Sequence, residues 1–515
     1  MQAKFDRNDT GAALPLAASM LVVLRGMAAF ATDLAWFYLN GTRIQRAADA
    51  AALAGVVFVN DSMTNVTTAA LDVATRNGYP DQAPGSYPQV VVAPVPGKTN
   101  QIQVTITDEV PTFFLKVFGM SSQVIARTST AEFVPPLRLG SPFATMGNDP
   151  SCFNPPSASN PCSGSYWIGI YGTHNNTSNG DPYSARCLSG ATSSSCPVSP
   201  LYRPEGYLFG VIPSGATLTI EGLDPQHRYD GGGLGPPGYG DFYRTGDHKS
   251  GVSNTTPGPT TYFTLWGADA TPEVIADNTT SLCNQTYASV PQVTPDQDPP
   301  FNPPSASWVW QNICTSVPVT PGKLYVLQVR VEGLGANDDG TNRFSLRVGG
   351  GAGKLFGLRD FSVFYNSSNF TSYMYLAEVI DAYAGKTFVV EGFDPGDIGG
   401  GSSGTLALYQ PTGPSSWAPF PTCQWSIKDT VDDPTWASMG TATNCQLTVN
   451  NSQPLSSPQN FQNKWFKLEA ALPSTYTCGT SCWWQIQYAF NAAPTDHVTW
   501  KAYVVGNPIH LIPNP

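Results

Sequence analysis

Ten cysteines are the residues whose type and spacing speak most directly of chemistry in this chain. They fall as neighbours, Cys152 with Cys162, Cys187 with Cys196, Cys283 with Cys314, Cys423 with Cys445 and Cys478 with Cys482, all beyond residue 150. An even count without CxxC pairs or companion histidines reads as a disulfide framework built in an oxidising compartment, not as metal ligation. Sequential pairing is the expectation, although spacing alone leaves other connectivities open. Oxygen-rich turns come next. Asp394-Pro395-Gly396-Asp397 and Asn337-Asp338-Asp339-Gly340 could hold calcium, a cation that takes about six to eight oxygens, so Asp338, Asp339, Asp394 and Asp397 are the candidate ligands. Ordinary Asx and glycine turns explain the same residues without a cation. No other cofactor is suggested.

Catalytic patterns are weaker. Asp224, His227, Asp230, Asp241, Asp247 and His248 lie in a glycine- and proline-rich run whose sequence fixes no mutual geometry, so a surface loop is the simpler reading. Ala384-Gly385-Lys386-Thr387 ends like a phosphate-binding loop, but Ile380 replaces its first glycine and a strand pattern follows it. The helix N-terminus that would cradle phosphate is therefore missing. No GxSxG or HExxH motif occurs, and no enzyme is expected. Trp465, Trp483, Trp484 and Trp500 could stack on a glycan or pack a core; strand alternation sends Trp483 and Trp484 to opposite faces.

These residues need a scaffold, and composition limits what it can be. Of 515 residues only 12% are charged, while 49 glycines and 46 prolines accompany 11% aromatics. Disorder is excluded by the aromatics, and turn-rich, weakly charged chain reads as all-β sandwiches or jelly rolls. A net charge of -11 without a basic stripe excludes a nucleic-acid groove. A weak repeat relates 214–225 to 384–395, each preceded by a tyrosine-rich strand. It predicts two related sandwich domains, 135–350 and 351–515, joined across Gly349-Gly350-Gly351-Ala352-Gly353.

The first sixty residues differ. A short polar head precedes an apolar run from Gly11 to about Tyr38, interrupted by Arg25 and Asp33. Its length suits a membrane-spanning helix, with Arg25 facing a partner helix or snorkelling and the N-terminus cytoplasmic. A cleaved signal is the competing reading. Trp36, Phe37 and Tyr38 suit a membrane interface. Phe37, Ile44, Ala48, Ala51 and Gly55 then recur on one helical face, where alanines allow close packing. Strands are predicted at 90–95, 101–107 and 124–133, with a short helix over 111–119 stopped by Gly119. That segment carries no convergent reactive groups and reads as scaffold that packs the strands onto the long helix.

The stretch from Thr32-Asp33-Leu34 to Tyr38, then Arg43-Ile44-Gln45 and Ala47–Gly55 with its AADAAALAG run, resembles the N-terminal module of TadG-like proteins of the bacterial tight-adherence (Flp) pilus system. The VPTFF…VFG segment is similar to TadE/TadG-like chains. The AGKT…FDPGD repeats resemble exported parts of large TadG-like proteins more loosely. Arg25 departs from the family's uncharged span, and Leu16 stands where a processed pilin-like protein carries glutamate.

The expected fold is mainly β with a long N-terminal α-helix. A cytoplasmic head and pilin-like helix (1–60) and a small α/β module (61–134) lead into the two sandwiches. The resemblance implies a non-enzymatic envelope protein, anchored in the membrane by its helix, which meets other pilus or envelope proteins and presents its sandwiches outside for assembly or adhesion. Two alternatives stay open: a self-assembling filament subunit, and an anchored adhesin for surface glycans.

Overall fold

A computed structural model describes residues 10–59, 62–98, 100–147, 166–188, 195–223, 228–229, 248–249, 259–268, 271–287, 310–332, 340–366, 371–395, 403–429, 433–491, 495–506 and 509–512. The chain is mainly β with a long N-terminal helix, as expected, and divides into two compact units, Met1–Pro135 with Asn507–Pro515, and Pro136–Gly506.

In the first unit, α1 (Thr10–Val56) and α2 (Met63–Arg76) accompany β1 (Gln89–Pro94), β2 (Gln101–Pro111) and β3 (Ser122–Phe133). The Ser62 hydroxyl accepts from the Asn65 N–H and caps α2, satisfying one of the donors a helix start leaves open. The strands pair antiparallel in order β1-β2-β3, and Ile509–Ile512 returns to extend the sheet beside β3, with Ile509 opposite Phe133. Strand alternation turns Ile102, Val104 and Ile106 to one face. That face meets Ile44, Ala47, Ala48, Ala51, Ala52 and Val56 of α1 and Val66, Ala70 and Ala74 of α2. The seam is closely fitted at Gly55, where an added Cβ would lie 2.9 Å from Ile102 Cδ1 and 3.1 Å from the Val66 carbonyl oxygen. Residues 15–32 of α1, by contrast, are exposed except at half-buried Ala29. This is a helix long and apolar enough to cross a membrane.

The second unit holds two long antiparallel sheets. In one, Gln311–Pro318, Thr217–Leu223, Thr341–Val348 and Tyr166–Tyr171 continue into Asp360–Asn366, Thr495–Val505, Thr387–Phe393, Trp465–Ala471, Thr422–Lys428 and Ala437–Thr443. In the other, Ser281–Tyr287, Thr261–Trp266, Tyr325–Val331 and Tyr207–Pro213 lead to Gly353–Gly357, Arg138–Leu139, Thr371–Glu378, Trp483–Phe490, Ser403–Gly413 and Ser416–Pro419. The repeat is visible. Tyr207–Pro213 and Thr217–Leu223 stand in different sheets, as do their counterparts Thr371–Glu378 and Thr387–Phe393.

Strand pairings run across the expected division at Gly349–Gly353. Gly353–Gly357, beyond that linker, pairs with Tyr207–Pro213 of the first repeat. Arg138–Leu139, at the start of the first repeat, pairs with Thr371–Glu378 of the second. Each repeat thus lends its opening strand to the other's sheet. In the facing sheet Ile168 lies opposite Val363, joining the repeats directly. Sheet edges carry unpaired N–H and C=O groups, and pairing edge to edge satisfies them. Both repeats lie within the one compact unit Pro136–Gly506.

Candidate functional site

The most specific polar arrangement in the first unit centres on Asp33. Its side chain is buried and accepts the backbone N–H groups of Phe113 at 2.8 Å, Phe114 at 2.9 Å and Leu115 at 2.7 Å. Backbone N–H groups at the start of a turn have no internal partner, and a carboxylate satisfies them with charge-assisted bonds. Asp33 therefore holds the tip of the β2–β3 hairpin against α1. Within the tip the Thr112 N–H donates to the Ser121 carbonyl and the Thr112 hydroxyl to that of Met120. Leu115–Phe118 forms one 3₁₀ turn, ended by Gly119 at φ 84°, a left-handed conformation that suits glycine. Trp36 meets Phe113 edge-on at 5.3 Å, and the Arg43 guanidinium lies 6.0 Å from the Trp36 ring centre.

The tip is not the simple packing scaffold its sequence suggests. Its backbone is fixed to α1, but its large side chains face out. Val117 is 81% and Phe118 79% exposed, with Phe114 and Met120 exposed as well.

Other expected helix residues separate by role. Arg25 and Tyr38 are exposed, while Trp36 and Phe37 are half-buried against the module's core. Ala48 and Ala51 are buried, and Gly55 sits against Ile102 and Val66. The alanine seam is packed by this chain's own α2 and β2.

Four bridges join Cys187 to Cys196, Cys283 to Cys314, Cys423 to Cys445 and Cys478 to Cys482, the sequential pattern. Cys152 and Cys162 lie outside the described residues, as do Asp338, Asp339 and Asp397. Most of the run from Asp224 to Asp247 does too. Asp394 is buried at the end of Thr387–Phe393, where its carboxylate accepts the Asn463 N–H and its own N–H donates to the Lys464 carbonyl. Among the described residues no three His, Cys, Asp or Glu side chains are grouped to hold a metal.

Trp484 is buried and Trp483 half-exposed, on opposite faces as alternation requires. On the outer side Tyr375 meets Trp417 at 5.7 Å, Trp483 at 6.5 Å and Phe143 at 6.1 Å.

A polar seam inside the second unit leaves no pattern in the sequence, because its members are scattered over three hundred positions. Asp181 accepts the backbone N–H groups of Tyr183 and Ser184, the Ser184 hydroxyl, and the Tyr207 hydroxyl at 2.6 Å. Burial pushes its carboxyl pKa up, against the pull of those donors. Ser362 Oγ lies 2.7 Å from His497 Nε2 and 3.0 Å from Thr499 Oγ1, which donates to the Gly180 carbonyl. Burial and the Arg343 guanidinium push His497 well below the usual histidine range, so it is neutral. A serine beside a neutral histidine is half of a hydrolytic pair, but Ser362 is 1% exposed and a substrate has no access to it. The seam ties 180–207 to 360–499 and is structural. Only the isolated Asp-Pro-Tyr-Ser run at 181–184 hinted at it.

Residues 11–58 match the Flp pilus-assembly TadE/G-like family model, and residues 35–131 match the Tad-like Flp pilus-assembly model. No curated protein matches the chain. Among solved structures it is similar to the N-terminal CBM22-1-CBM22-2 tandem domain of Xyn10C from Paenibacillus barcinonensis. Identity is 13% over 59% of this chain and 79% of that one, with a TM-score of 0.13, too weak to carry an argument. The matched residues contain the free apolar helix, the alanine seam and the Asp33-held tip, the features that define the first unit. Over residues 11–131, therefore, the N-terminal region of the chain matches Flp pilus-assembly families of the TadE/G-like type.

Proposed function

We propose that the protein is anchored by residues 15–32 of α1 and presents its β-rich body outside the membrane, for pilus assembly or surface adhesion. The observation that carries this reading is the exposure of those residues beside a fully packed module. An apolar helix left bare in a folded protein needs another solvent, and a bilayer supplies one. The four bridges in the body support an oxidising, exported location. Arg25 lies within the bare stretch, and snorkelling or a neighbouring helix accommodates it. N-terminal mass spectrometry on washed membranes and on material sheared from cells tests the reading. An intact Met1 terminus confined to membranes supports anchoring. A terminus at Ala12 in sheared filaments would favour a filament subunit in its place.

A second reading concerns the body's ligand. The outward cluster of Phe143, Tyr375, Trp417 and Trp483 supports stacking on sugar rings, since aromatic faces suit apolar sugar surfaces. Glycan-array binding by the full chain that is lost with Trp483→Ala would support it. Unchanged binding would remove that cluster from consideration.

A further inference from the structure

We propose that the tip of the β2–β3 hairpin, residues 112–121, is a second membrane-contacting element: a wedge whose apolar side chains enter the lipid interface where α1 leaves the bilayer. The inference rests on the anchoring reading and adds to it a contact that the helix alone does not supply.

Three observations converge on the tip. The first is height. Residues 15–32 rise about 27 Å as a helix, close to the roughly 30 Å of a hydrocarbon core. Asp33, the next residue, is buried and binds three successive N–H groups of the tip. The tip is thereby fixed at the level where the span ends, with no freedom to sit elsewhere along the helix.

The second is chemistry. Phe114, Val117, Phe118 and Met120 are exposed together on a short turn, and no acidic residue falls between Thr112 and Ser121. Lys116, also exposed, lies among them. A lysine beside apolar side chains suits the boundary between acyl chains and anionic headgroups, where its stem stays apolar and its amine reaches phosphate. The third is continuity. Leu34 and Tyr38, two and six residues beyond the bare stretch on the same helix, are exposed as well. The apolar surface of the span thus runs on to the tip's level without a polar break at those positions. The occupant is a lipid bilayer, because the surface continues one that already requires it.

The fold explains why such a turn is held open to solvent. A hairpin tip of this composition would ordinarily fold its phenylalanines back onto the sheet. Here Asp33 takes the backbone donors, Thr112 closes the turn's neck, and Gly119 in its left-handed conformation reverses the chain. The side chains are left pointing away.

The test places a photo-reactive p-benzoylphenylalanine singly at Leu21, Phe118 or Val91 of the full chain, reconstituted in vesicles of phosphatidylcholine and phosphatidylglycerol carrying a clickable phospholipid. Leu21 reports the span, and Val91, exposed on β1, is the aqueous control. Lipid adduct at position 118 should approach that at 21 and exceed that at 91 by about tenfold, as expected for a side chain within the interface. Adduct at 21 with none above control at 118 would overturn the wedge and leave anchoring intact. Adduct at neither position would overturn anchoring and the wedge with it. Cross-linking of 118 to protein instead of lipid in whole cells would also overturn it, by assigning the tip to a partner chain.

Discussion

Arg138 and Glu378, 240 positions apart, face each other across adjacent strands and form a 2.8 Å ion pair. The pair sits where the first repeat's opening strand enters the second repeat's sheet, so it reports directly on the exchange between them. With both side chains partly buried, Arg138→Glu should cost about 2 kcal/mol by setting like charges together. Adding Glu378→Arg should recover about half of that. Urea unfolding of the full chain, followed by tryptophan fluorescence, measures both; equal losses in the single and double variants would mean that the pair is not coupled.

Because the repeats share both sheets, the body should unfold as one unit. Denaturant titration read by near-ultraviolet circular dichroism and by fluorescence should give coincident transitions for the aromatics of 166–348 and of 360–505. Two separated transitions would support a division at Gly349–Gly353.

Gly55 allows α1 to approach β2 and α2 closely. Gly55→Ala should destabilise the first unit by about 1–3 kcal/mol, since the nearest obstacles include the Val66 carbonyl, which cannot yield as a side chain tip can. Ile102→Val in the same chain should recover part of the loss by removing the atom 2.9 Å away. A thermal melt in detergent is sufficient to see both.

Asp33→Ala should free the tip without unfolding the module, whose core lies elsewhere. Hydrogen exchange at Phe113, Phe114 and Leu115 should accelerate about tenfold or more when their acceptor is gone, while exchange in β2 changes little. Unchanged protection at those three amides would show that the tip is held by its packing and not by the carboxylate.

His497 makes stability pH-dependent with a definite sign. Its folded pKa lies below the unfolded value near 6.5, so the fold favours the neutral ring. That contribution is complete above about pH 6.5 and is lost as pH falls through that value towards the folded pKa. Between about pH 7 and pH 5 the parent should lose roughly 2 kcal/mol more than His497→Gln. Asp181, raised by burial, titrates in the opposite sense in both proteins and cancels in the comparison. Parallel pH profiles would contradict the assignment.

Short-range pattern made much of the first unit legible. The alternation of Ile102, Val104 and Ile106, the alanine periodicity and the Gly119 stop each mark an element locally. The cysteine neighbours and the opposed faces of Trp483 and Trp484 were legible for the same reason. α2 was not: its threonines and asparagine lower helix propensity, and only Val66, Ala70 and Ala74 keep the spacing. The exchanged strands were hidden because pairing partners more than a hundred positions apart leave no local trace. The same holds for Asp33, whose partners are backbone amides eighty residues on. A carboxylate that binds main chain has no partner side chain to betray it in a sequence.

The return of Ile509–Ile512 to the sheet beside β3 bears on how the body could ever be shed. The chain leaves the module after Phe133 and re-enters it at Ile509, so the body is a closed excursion with two covalent stems. A single protease nick within the excursion severs one path and leaves each fragment still held, one through β3 and the other through a strand of main-chain hydrogen bonds. Release of the C-terminal fragment then requires that strand to peel from β3, and release of the other requires a second cut. Surface proteolysis would retain what a one-stemmed head would lose.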